Sequence, residues 1–89
     1  MDKSFYELTQ AGETVNRSAR LTGLVWEGAT TAGDTCTVQV DGSLFWRGRT
    51  DATQTYLGIS FGVVGLYVNQ VVLNQISSGT LWIYYGDAL

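Results

Sequence analysis

Few residues of this 89-residue chain can do covalent chemistry. There is no His, which removes the commonest general base and the commonest metal ligand together. The single Cys, Cys36, sits in the alternating text Thr35-Cys-Thr-Val-Gln-Val40 and reads as a small core residue, not as an activated thiolate. A Ser nucleophile has no better support, since the one lysine, Lys3, lies in a polar N-terminal stretch. Asp34, Asp41 and Asp51 fall in turn-like text and Asp87 near the end, where Asp serves the backbone; nothing has the DxDxDG spacing of a Ca²⁺ loop or brings two acids together for acid–base work. The glycines form neither GxGxxG nor GxxxxGK[ST], so phosphates have no cradle. The expectation is a chain with no catalytic residues, no cofactor and no metal.

Charge and composition narrow the class further. The net charge is −3, and five cations, Lys3, Arg17, Arg20, Arg47 and Arg49, are spread among eight acids. A nucleic-acid footprint needs a basic face, so none is expected. The longest near-apolar run, Phe61 to Val68, is far short of a membrane span, and the opening MDKSFYELTQ has no apolar signal region. The expectation is a chain neither exported by a signal peptide nor inserted in a membrane. One Cys cannot form an internal disulfide, which fits assembly in a reducing cytoplasm. A chain of this mass buries only about 64% of its unfolded surface, so its core is thin and contacts with other chains would help it.

The elements that must carry these residues read as strands. Thr and Val abound, Gly recurs, and no window holds the i, i+3, i+4, i+7 pattern of an amphipathic helix. Segment 3–9 is too polar to stand alone; with Phe5, Tyr6 and Leu8 it reads as an arm that adds a strand to a neighbouring subunit. From Val15 to Glu27 the text alternates with apolar groups on both faces, Leu21, Gly23 and Val25 against Thr22, Leu24 and Trp26. That pattern predicts a strand buried on one face by the core and on the other by a second contact. Asp41-Gly42 starts a hairpin, and a three-residue loop over 40–42, with Gly42 left-handed, would bring Cys36, Val38, Leu44 and Trp46 together and leave Arg47 outside with Phe45. Next come a strand over 56–61 with Leu57, Ile59 and Phe61 on the core face, then Leu66–Val68 and Val71–Leu73 with a break or bulge at Asn69-Gln70. A last strand over 80–85 has Leu81, Ile83 and Tyr85 on one face and Thr80, Trp82 and Tyr84 on the other. The fold class is all-β: a small antiparallel β-sandwich or jelly-roll-like barrel of about seven strands, residues 15–89, preceded by an N-terminal arm, residues 1–14.

The aromatic residues exceed what so thin a core needs. Trp46 and Tyr85 are expected inside. Phe5, Tyr6, Leu8, Leu24, Trp26, Trp82 and Tyr84, on the arm and the second face, form the expected protein interface. Arg47 and Arg49 read as a solvated edge able to pair with acids on a partner.

In order and spacing, RLTGLVWEGATTAGDTCTVQVDG, then LGISFGVVGLYV, then SSGTLWIYYGD resembles a family of small all-β virion proteins of tailed bacteriophages. The resemblance runs from about Val15 to Tyr85. It rests on Arg20-Leu21 and Gly23-Leu24-Val25, on Thr37-Val38 and Val40-Asp41-Gly42, on Gly58-Ile59, Phe61 and Gly65-Leu66-Tyr67-Val68, and on Gly79-Thr80-Leu81, Ile83 and Tyr85. Thr35-Cys36, Gln39 and the apolar Val71–Ile76 depart from the family pattern. The resemblance implies a non-enzymatic virion protein, assembled in the host bacterial cytoplasm, of the capsid decoration or cement type. Its implied partners are the major capsid protein and copies of itself, a trimer among the options. Two other readings stay open: a tail, baseplate or fibre component, and a small carbohydrate-binding module using Trp26, Trp82 or Tyr84 as stacking platforms.

Overall fold

The structure, a computed structural model, describes residues 5–50, 56–60 and 65–86. Seven strands follow in chain order: β1 (Phe5–Leu8), β2 (Thr14–Glu27), β3 (Thr35–Val40), β4 (Ser43–Arg49), β5 (Tyr56–Ser60), β6 (Leu66–Ile76) and β7 (Thr80–Tyr85). They form one antiparallel sheet ordered β1-β7-β2-β6-β3-β4, with β5 paired to β2. Although β4 and β2 are not neighbours in that order, Gly48 of β4 packs beside Trp26 of β2, so the sheet curls over a shared interior. Leu21, Leu24, Trp26, Val38, Val68, Val71, Leu73, Leu81 and Ile83 fill that interior. The all-β expectation holds. Lys3, Asp51, Phe61 and Asp87, singled out in the sequence, lie outside the described residues.

A β-bulge explains the two-sided text of β2. Leu21 pairs with Tyr85 and Gly23 with Tyr84, so Thr22 is an extra residue opposite the β7 ladder. Before the bulge the odd positions Val15, Ala19 and Leu21 face inward; after it the even positions Leu24 and Trp26 do. Strand side chains repeat every two residues, so one inserted residue switches the inward parity without any second buried face. Leu24 and Trp26, expected at a protein interface, are therefore core residues, both with no exposed surface.

The β3–β4 hairpin also differs from expectation. Its loop is the two residues Asp41 and Gly42, at φ 51° and 86°, a pair of left-handed residues that matches the twist of tightly joined strands. A bulge then intervenes: Gln39 pairs with Leu44 but Val38 with Trp46, leaving Phe45 extra. Gly42 is left-handed as expected and Trp46 joins the Val38 face, but Leu44 turns outward and is 55% exposed. The Asp41 carboxylate accepts hydrogen bonds from the backbone N–H groups of Asn69 and Gln70, both at 2.9 Å. There β6 passes from β2 to β3, and the side chain satisfies the donors that the irregular ladder leaves over. β6 is thus one continuous strand, irregular at the expected Asn69-Gln70.

Gly48 makes the close approach of β4 to β2 feasible. A Cβ there would lie 2.7 Å from Trp46 Cη2 and 3.2 Å from Trp26 Cε3, so only a residue without a side chain lets the two indoles share the space. Trp26 Nε1–H donates to Ser78 O at 2.8 Å, which satisfies its one polar atom inside the core.

Two further expectations change. Phe5–Leu8 pairs with β7 of its own chain, Phe5 opposite Tyr84 and Leu8 opposite Leu81, so it is the sheet's edge strand and not an arm reaching a neighbour. Leu8 is buried, because its position on β1 continues the inward row of Leu81 and Trp26. The turn that returns the chain to β2 is closed by Glu13, whose carboxylate accepts from the N–H groups of Thr9 and Gln10. In β5, Leu57 packs on the core but Ile59 remains 41% exposed.

Candidate functional site

The outward face of β1, β7 and the second half of β2 collects chemistry that the core does not use. Residues paired across antiparallel strands share a face. One row runs Phe5, Tyr84, Gly23 and Ser60; the next runs Glu7, Trp82, Val25 and Gly58. The β1 and β7 positions of these rows therefore carry Phe5, Tyr84 and Trp82 with Glu7, and the β2 and β5 positions carry smaller residues.

Phe5 packs against both rings of β7, with centroids 5.9 Å from Trp82 and 6.4 Å from Tyr84. Phe5 is 48% and Tyr84 39% exposed, and Trp82 is half-buried. Together with Glu27 they line a shallow open hollow of about 310 Å³. Trp82 Nε1–H donates to Glu27 Oε1 at 2.9 Å, which fixes the indole and places a carboxylate at its edge. Glu7, paired across from Trp82, adds a second carboxylate to the same face. The bulge residue Thr22 donates through its hydroxyl to Tyr84 O at 3.2 Å and ties β7 to β2 where the parity changes. The face is acidic and aromatic, and it is carried on paired strands.

The expected interface residues thus separate into two groups. Phe5, Trp82 and Tyr84 come together on the outside. Leu8, Leu24 and Trp26 lie in the core, and half-buried Tyr6 packs edge-on to Tyr85 at 5.6 Å. Sequence reasoning missed Glu7 and Glu27. Glu27 directly follows the last inward residue of β2, and that adjacency becomes a signal only once the bulge fixes the parity.

Burial pushes the Cys36 thiol up to about 12, so at neutral pH it stays protonated and inert. Burial likewise pushes the Tyr85 phenol up to about 12, the neighbouring Tyr6 adding to the effect and Arg17, 4.8 Å over the ring, opposing it. Among the described residues no group of three or more His, Cys, Asp or Glu could hold a metal ion, and no helix is long and apolar enough to cross a membrane.

Comparison of the chain with protein-family models, with curated proteins and with solved structures gives no match.

Proposed function

We propose that this chain is a non-catalytic structural protein of a phage virion, a decoration module that binds the outer capsid surface and stabilises contacts between capsomers. The observation that carries the reading is the exposed face of Phe5, Trp82 and Tyr84 flanked by Glu7 and Glu27. Aromatic residues at the centre and charges at the rim are the composition of a protein-docking surface. The strand pattern that resembles small phage virion proteins supplies the setting, and a small sheet present in many copies strengthens a shell through many weak contacts.

Counting copies of the chain against the major shell protein in purified particles tests it. A copy number in fixed proportion to the capsomers supports decoration. A few dozen copies or fewer supports the tail, baseplate or fibre reading, and none overturns both. The Trp82 and Tyr84 rings beside the Glu27 carboxylate also favour a second reading, sugar stacking. A glycan-array signal from the isolated protein that disappears in Trp82→Ala would move the function to carbohydrate binding.

A further inference from the structure

The described charges divide by what they hold. Glu13 closes the β1–β2 turn, Asp34 accepts from the Thr31 N–H and the Ser78 hydroxyl, and Asp41 binds the β6 backbone. Arg17 lies over the Tyr85 ring, and Arg20 makes contacts within the chain. On the outer surface, Glu7 and Glu27 flank the aromatic hollow, while Arg47 and Arg49 stand exposed on β4. Trp26 and Gly48 meet in the interior, so the outward rows of β2–β7 and of β4 look away from each other on opposite sides of the molecule.

We propose that a second copy of this chain docks on the acidic aromatic face through β4, with its Arg47 and Arg49 laid over Trp82 and Tyr84 and held by Glu7 and Glu27. The spacing fits: both pairs are i, i+2 on a strand, about 6.7 Å apart on one face. The chemistry fits as well, since guanidinium planes stack on Trp and Tyr rings and bind carboxylates, and the two surfaces carry opposite charge. Because the two surfaces differ, the contact is head-to-tail: each copy keeps one face of each kind, and copies continue as a ring or a row. This inference rests on the assembly reading above and assigns the aromatic face to the contact between neighbouring copies, which then hold to the shell together.

Sedimentation velocity of the full chain, from about ten micromolar to about one millimolar, reads the contact directly. The wild type is expected to grow in mass with concentration, and several-fold less so when salt is raised about tenfold. Glu7→Lys/Glu27→Lys and Arg47→Glu/Arg49→Glu are each expected to stay monomeric. Mixed in equal amounts they should associate again, because the intact Arg face of one meets the intact acidic face of the other and the two reversed faces are complementary as well. Where a double variant does not melt cooperatively, Glu7→Lys and Arg47→Glu alone replace it in the same mixing experiment. A wild type monomeric at every concentration, or folded variants that stay monomeric when mixed, overturns the contact. Self-docking that fails while particles still carry the chain overturns this inference alone; association in solution without particle occupancy supports it and overturns the decoration reading.

Discussion

Trp26 and Trp82 occupy adjacent strands, each with its indole N–H hydrogen-bonded, one to Ser78 O at 2.8 Å and the other to Glu27 Oε1 at 2.9 Å. Yet Trp26 sits in the interior against Gly48, and Trp82 stands half-buried on the outer face against Phe5. Val25 pairs with Trp82 and Trp26 with Leu81, so one residue step separates the two environments. The difference teaches that in a thin sheet the role of an aromatic residue follows from strand parity, and that a single bulge can reassign it.

Substitutions at the two positions should therefore behave as opposites. Trp26→Ala empties the largest buried side chain and should cost about 3–5 kcal/mol, most of the stability of a domain this size, whereas Trp82→Ala should cost about 1 kcal/mol or less. Urea denaturation of both variants checks this; equal losses would break the contrast. Gly48→Val sharpens it from the other side, because the added atoms meet Trp46 and Trp26 and should cost about 1–3 kcal/mol by overpacking.

Asp41 tests the hairpin that carries the Arg47 end of the molecule. Asp41→Ala strands two backbone donors and places Ala at φ 51°, for an expected loss of about 1–3 kcal/mol. Asp41→Asn keeps an acceptor oxygen and a residue that tolerates the left-handed region, and should lose clearly less. Thermal melts of the two, side by side, check this; equal losses would contradict the role given to the Asp41 side chain.

Much of this architecture is legible in the residues. Thr80-Leu-Trp-Ile-Tyr-Tyr85 alternates without interruption, and its inner and outer faces follow directly from period two. Where the ladder is irregular the text misleads. Leu21, Leu24 and Trp26 read as residues of two faces because nothing in the strand text marks Thr22 as an inserted residue. In the hairpin, a three-residue loop and a two-residue loop followed by a bulge at Phe45 both bring Trp46 to the Cys36–Val38 face. Only the fate of Leu44 separates them. The site was half legible for the same reason: Trp82 and Tyr84 follow from alternation, while Glu7 needs the docking of β1 and Glu27 needs the parity set by the bulge.

The core and the surface should also part company at high pH. Cys36 is raised from 9.0 and Tyr85 from 10.0, each to about 12, so the unfolded chain gives up these protons first. Their contribution to stability is whole below pH 9 and is lost as pH rises from 9 toward 12. Melting temperature should be level up to about pH 9 and fall beyond it, and Cys36→Ala should delay the fall to about pH 10, where Tyr85 alone remains. A melting temperature that rises through this range would contradict the buried placement of both groups.

The central claim is that the outward face of β1 and β7 docks a partner while the inward face folds the chain. Measuring particle occupancy of Trp82→Ala against wild type, with the melting temperature of each, tests it most directly. The account predicts occupancy reduced about tenfold or more at a nearly unchanged melting temperature, since exposed aromatic anchors carry binding energy out of proportion to their part in folding. Undiminished occupancy, or a melting temperature that collapses together with it, would contradict the account.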